Sequence, residues 1–313
     1  MKLAAVDIGS NAIRFQVSKI LEYNGMVMFK KMEYVRFPLR LGEDVFRLGM
    51  ISAEKESKFI KLIHTFKNLF ELYEVTDYMV CATSAMRESK NGKDIAYKVK
   101  DLLGVEINII DGEKEADLIN TVLYNELDDE SYIHIDVGGG STEINLFYKK
   151  EKVASRSFKI GSVRRMQGLD QPEEWAEMKQ WIKENTIRLP QPVTAIGTGG
   201  NIGKIYELGN ADKSSKDKDK RSIALKKMIE VKERIEQYNY EERINVLMLN
   251  PDRADVIIPA SEIYISVMEF AKSKKMVVPE VGLKDGLMLM LFEKNKHKIE
   301  NLSSIKNVNK YQK

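Results

Sequence analysis

The chain has 313 residues, 43% hydrophobic and 31% charged, with a formal net charge of +3. That is the composition of a soluble globular protein with room for two cores. No apolar run reaches the length of a membrane span. A single cysteine, Cys81, excludes a disulfide framework and agrees with a reducing cytoplasm, and with only His64, His134 and His297 beside it the composition argues against a structural zinc site.

The N-terminus opens directly on the strand-like "KLAAVDIG", without signal-peptide architecture. The turn Gly9-Ser10-Asn11 leads into a second strand, "AIRFQVSKI", and a third strand fits Met26 to Met32. A helix begins after Ser52, where Phe59, Leu62, Ile63, Phe66, Leu69, Phe70 and Tyr73 keep the 3.6-residue period. "DYMVCAT" reads as a buried strand and "GKDIAYKVKDLLG" as an amphipathic helix closed by Gly104. "VEINII" is the next strand, and "DGEKEADLINTVLYN" a helix capped by Asp111.

The second half repeats this grammar. "YIHIDV" and "EINLFY" flank the glycine turn "GGGST", and "KVASRSF" supplies a third strand. A helix starts near Pro172, "VTAIG" is a strand, and "TGGN" turns into another helix. "ADKSSKDKDKR" reads as a polar loop opening a charged helical insertion over about 211–250. A buried helix ("RADVIIPASEIYISVMEFAKSK"), a strand ("KMVVPEV") and a final helix ("GLKDGLMLMLF") complete the half. From Lys294 to Lys313 six lysines stand against one glutamate, so 301–313 reads as a basic, solvated tail.

Aligning the two hairpins places Asp7 against Asp136, each ending the first strand of its half before a turn of small residues. The duplication predicts an α/β protein of two similar domains, 1–124 and 125–300, facing each other across a central cleft. Both turns would then approach one anion. Gly138, Gly139, Gly140 and Ser141 on one side, and Ser10 and Asn11 on the other, are the candidate phosphate cradles. A carboxylate beside a phosphate needs a cation between them, which makes Asp136, Glu143 and Asp7 candidate ligands of Mg²⁺. Arg14 and Arg87 could bind phosphate bidentately, and Gly199 and Gly200 sit at a strand-to-helix turn whose amides suit an anion. Glu115 lies in the first turn of the linking helix, where a structural role at the helix dipole competes with the orientation of an attacking water.

Eight segments occur in order from end to end: "AAVDIGSNAIRF", "ATSAMRES", "IIDGEKEA", "IDVGGGSTE", "GSVRR", "IGTGGN", "RADVIIPA" and "GLKDG". Together, over about residues 3 to 292, they resemble the exopolyphosphatase / guanosine pentaphosphate phosphohydrolase (Ppx/GppA) family. That family carries duplicated ribonuclease H-like domains of the actin–sugar kinase–Hsp70 superfamily. The resemblance implies Mg²⁺-dependent hydrolysis of terminal phosphoanhydride bonds in inorganic polyphosphate or in pppGpp. It makes Glu115 the catalytic residue, Asp136 and Glu143 the metal acids, and Ser10-Asn11 with Gly138 to Ser141 the phosphate turns. Arg87 matches the arginine of the second motif. It also implies a homodimer, with no nucleic-acid or membrane partner. Asp111 replaces the family's serine and Lys114 the first glutamate of its pair, while the longer members' HD-like C-terminal region has no counterpart in the 313 residues. The other readings are an ATP-dependent kinase or an actin-like assembly protein on the same fold.

Overall fold

The computed structural model describes residues 1–23, 26–210 and 221–298. The polar stretch 211–220 and the basic tail 301–313 lie outside the described residues.

Two sheets carry the chain. The first is built from β1 (Lys2–Ile8), β2 (Ile13–Tyr23), β3 (Met26–Phe37), β4 (Asp77–Ala82) and β5 (Asn108–Ile109), in the order β3-β2-β1-β4-β5. Between β3 and β4 come α1 (Leu41–Leu48) and α2 (Ala53–Leu72), and between β4 and β5 come α3 (Ser84–Glu88) and α4 (Gly92–Leu103). Helix α5 (Gly112–Leu123) leads to the second sheet, which begins with β6 (Ser131–Val137), β7 (Thr142–Tyr148) and β8 (Glu151–Phe158). Next come α6 (Ser162–Met166), α7 (Pro172–Thr186), β9 (Val193–Thr198), α8 (Gly200–Gly209) and β10 (Ser222–Ala224). The described residues end through α9 (Leu225–Glu236), α10 (Tyr240–Asn245), α11 (Pro251–Ala254), α12 (Ile257–Phe270), β11 (Lys275–Val277) and α13 (Leu283–Asn295).

The second sheet runs β10-β11-β9-β6-β7-β8. Apart from the added β10, both sheets share one plan: a three-strand antiparallel meander, then two strands parallel to its first member. The repeated hairpin grammar is therefore a repeated topology. Alternation along β1 sends Ala4, Val6 and Ile8 toward α2 and α4, where Phe15 stacks on Phe66 at 4.8 Å. The opposite face, with Leu3 and Ala5, joins Tyr132, Phe147 and Ile196 of the second sheet and Leu287 and Leu291 of α13 in a middle layer shared by both sheets. Helix α5 enters this layer through Ile119 and Leu123. Within the stretch read as an insertion, Met228, Val231 and Ile235 of α9 enter the core of the second sheet.

Some elements differ from the sequence reading. Strand β3 continues to Phe37 instead of stopping at Met32, because an edge strand tolerates Lys30, Lys31 and Glu33. "VEINII" contributes only Asn108–Ile109 to the sheet. Helices α1, α3 and α6 are short, and five to eight residues hold too few turns for periodicity to show.

Candidate active site

The turns after β1 and β6 meet. A methyl group placed on Gly139 would stand 2.8 Å from Ser10 Cβ and 3.4 Å from the Asn11 nitrogen, so only glycine allows this approach. Around the junction lies a cleft of about 580 Å³. Asp7, Ser10, Asn11 and Arg14 line it from the first half, with Glu115 from the linking helix. Asp136, Gly138, Gly139, Ser141, Gly199 and Gly200 line it from the second. Three candidates do not reach its wall. Glu143 is buried behind Asp136, its cross-strand neighbour, and Gly140 packs its open side against Phe46 and Ser84. Arg87 turns away, donating to the Ile110 carbonyl at 2.7 Å with Nη1 3.8 Å from Glu115 Oε2.

The glycine turn is oriented by what binds its carbonyls. Ser162 N donates to Gly138 O at 2.9 Å, Val163 N to Gly139 O at 2.9 Å, and Arg164 Nε to Gly140 O at 3.0 Å. A trans peptide points its N–H opposite its C=O. The amides of Gly139, Gly140 and Ser141 are therefore directed away from α6, which suits an anion. Gly199 holds φ at 106°, and a side chain there would come within 3.2 Å of Asp136 Oδ1. Asn11, by contrast, spends its amide on Asp252, donating to its carbonyl at 2.9 Å and its carboxylate at 3.3 Å.

Four carboxyl groups gather here with few cations. Asp111 caps α5 by accepting from Lys114 N at 2.8 Å, which fixes the first turn and Glu115 with it. The aspartate thus serves the capping role of a serine, and Lys114 itself is exposed. Burial pushes the Glu115 carboxyl well above its ordinary value, and the charges of Glu143, Asp136 and Asp7 push the same way against Arg87. Its Oε2 is buried with no hydrogen-bond partner. Asp136 is pushed up to about 7, chiefly by burial and then by Glu143. Glu143 is raised by burial, opposed by the Ser141 and Ser157 hydroxyls. Asp7 is taken by Arg14 Nη1 at 2.8 Å, so it neutralises an arginine before it could hold a metal.

Sequence reasoning missed Arg253, Lys204 and Arg221, which also line the cleft. Arg253 is the telling one. Its Nε is buried without a partner, Arg36 and Arg14 crowd it, and burial holds its pKa below the ordinary value. The only signal was its place in "RADVIIPA".

His134 is fully buried on β6 and held neutral, its pKa lowered to about 3 by burial alone. The unfolded chain takes up this proton near pH 6.5, so the stability that neutral His134 contributes is present above 6.5 and lost as pH falls toward 3. Between pH 6.5 and 4.5 the wild type should lose about 2–3 kcal/mol relative to His134→Gln in denaturant titrations. Parallel curves for the two proteins would refute this.

The match to the description "Ppx/GppA phosphatase family" runs over residues 20–295. The protein is a member of the Ppx/GppA phosphatase family. Among curated relatives, this member is 26% identical to the bifunctional 3-dehydroquinate synthase/phosphatase of Fusobacterium nucleatum, over 93% of this chain and 46% of that one. It is 23% identical to the guanosine-5'-triphosphate,3'-diphosphate pyrophosphatase of Aliivibrio fischeri, over 94% and 60%. The chain thus spans roughly half of these two relatives. A putative exopolyphosphatase of Haemophilus influenzae is nearer in size, at 22% identity over 94% of this chain and 92% of that one. Two solved structures share the Ppx/GppA fold. The Aquifex aeolicus family member has a TM-score of 0.73 at 21% identity, covering 95% of this chain and 99% of its own. A Cytophaga hutchinsonii exopolyphosphatase has a TM-score of 0.78 at 20% identity, covering 96% and 99%.

Proposed function

We propose that the protein is a Mg²⁺-dependent phosphohydrolase that releases the terminal phosphate of inorganic polyphosphate. The observation that carries this reading is Glu115: a largely buried carboxylate lining the cleft where the two phosphate turns meet, with one oxygen that accepts no hydrogen bond and has Arg87 3.8 Å away. The turn amides hold the terminal phosphoryl group while Arg14, already paired with Asp7, offers its remaining N–H donors at the cleft wall. Glu115 holds a water for in-line attack and accepts its proton as the bond to phosphorus forms and the bridging oxygen leaves with the rest of the chain. A carboxylate raised toward neutrality accepts that proton better than an ordinary one.

Among the described residues no group of three or more His, Cys, Asp or Glu side chains forms a ready-made cage. Mg²⁺ does not need one, since it is ordinarily held by one or two carboxylates, water and substrate phosphate oxygens. Repulsion among Asp136, Glu143 and Glu115 fits such a cation. Asp136, with Glu143 behind it, would hold it, and when bound it would neutralise charge on the terminal phosphate.

One observation supports a second reading, pppGpp. Farther along the cleft the cations are matched by acids: Lys204 with Glu207 at 3.2 Å, Arg221 with Glu280, and Lys284 with Asp285 at 2.7 Å. Such an arm suits a nucleoside better than a long polyanion. Phosphate release from both substrates, each with Mg²⁺ or with EDTA, tests the two together. The expected result is turnover on polyphosphate that EDTA abolishes. Higher kcat/KM on pppGpp would select the second reading, and metal-independent turnover would remove the cation.

A further inference from the structure

A chain of buried polar groups runs through the second sheet and ends at Asp136. Ser155 Oγ donates to Asn145 Oδ1 at 2.6 Å. Asn145 Nδ2 stands 3.0 Å from His134 Nδ1, and His134 Nε2 stands 2.9 Å from Thr198 Oγ1. His134, Asn145 and Thr198 have no exposed surface. Thr198 is the register partner of Asp136 on the adjacent parallel strand, which sets its hydroxyl on the same face of the sheet as the Asp136 carboxyl.

With the Asn145 amide placed as it is, one proton order follows along this chain. Ser155 takes the oxygen of the Asn145 amide, which leaves its NH₂ to face His134. An NH₂ group only donates, so Nδ1 must accept and Nε2 must carry the ring proton. Nε2–H then donates to Thr198 Oγ1. The hydroxyl has one proton, and with its oxygen accepting from His134 that proton is left for Asp136, its register partner. A cationic His134 would set N–H against NH₂, so the geometry permits only the neutral ring.

We infer that His134 and Thr198 are positioning residues for Asp136, aiming one hydroxyl donor at the carboxylate so that its other lone pairs face the cleft. This rests on the reading of Asp136 as a cation ligand. Outer partners of this kind ordinarily contribute 10–100-fold to metal affinity. Nothing in the family motifs requires a histidine here, and a buried ring must satisfy both nitrogens, which His134 does partly on the hydroxyl beside Asp136.

The test is Mn²⁺ binding measured by electron paramagnetic resonance, without substrate. Thr198→Val keeps the shape and removes the donor, and should weaken Mn²⁺ about 10–100-fold. Thr198→Ser restores the donor and should stay within about threefold of wild type. His134→Gln, which can still donate to Thr198, should fall between them. Wild-type affinity in Thr198→Val overturns the inference. Absence of Mn²⁺ binding by the wild type both without and with inorganic phosphate instead overturns the reading of Asp136 as a ligand. The ¹⁵N spectrum of histidine-labelled wild type keeps the question open to decision if the variants fail to fold. With three histidines in the chain, one ring should hold its proton on Nε2 from pH 5 to 8. A buried ring protonated on Nδ1 would reverse the proton order and overturn the inference.

Discussion

Replacing Glu115 by Gln should lower kcat for phosphate release by about 10²–10⁴-fold while substrate affinity changes little. The substitution conserves shape and removes only the negative charge and the ability to take a proton. The cap of α5 is untouched, because Asp111 makes it through the backbone of Lys114. The turn amides and Arg14 are untouched as well. The same substitution should raise the melting temperature. Glu115 is a buried carboxylate facing Glu143, Asp136 and Asp7, with Arg87 as the opposing cation, and removing its charge relieves that repulsion. A protein that gains stability as it loses turnover has a destabilising site serving function. Near-normal kcat in Glu115→Gln would exclude the proposed role. Lost turnover together with a lower melting temperature would mean the residue is chiefly structural.

The second large effect lies away from the cleft. Gly286→Ala should destabilise the fold by about 1–3 kcal/mol and depress activity with it. The added methyl would stand 2.1 Å from the carbonyl oxygen of Leu118 and 2.6 Å from its carbonyl carbon. Those are backbone atoms of a helix and cannot rotate aside. Leu118 lies three residues beyond Glu115 on α5, so relief of the clash must move the helix that holds the carboxylate. A displacement near 1 Å at a reacting group can cost about 10²-fold. Gly203→Ala is the control. Its methyl meets nothing within 4 Å, and within α8 it should add about 0.5–1 kcal/mol. Differential calorimetry of both variants checks the pair, and equal melting temperatures would refute the account of Gly286.

The two halves were legible because strand alternation and turn chemistry are local. "AAVDIGSNAIRF" and "IDVGGGSTEINLF" reveal their shared plan to a reader of either. The meeting of Ser10 with Gly139 could only be anticipated, since it depends on how the sheets face one another. Side-chain direction was not legible. Arg87 and Arg14 looked alike in the sequence, yet Arg14 lines the cleft while Arg87 donates to a backbone carbonyl behind Glu115. Asn11 looked like a phosphate donor, but it is engaged by Asp252 from 241 positions away. His134 is packed and neutral in the structure. Its link to Thr198 was out of reach because the two residues are 64 positions apart and, while Thr198 stands in "IGTGGN", His134 lies in none of the eight segments.

The middle layer has a consequence for how the chain is made. Leu3 and Ala5 pack in one cluster with Leu287 and Leu291 of α13. Synthesis runs from the N-terminus, so the first sheet is complete in hydrogen bonds long before its second apolar face has a cover. During that interval the inner side of β1 is bare, and α5 alone cannot mask it. The first half of this protein is first in order and last to be finished: its surface closes when α13 leaves the ribosome and folds back.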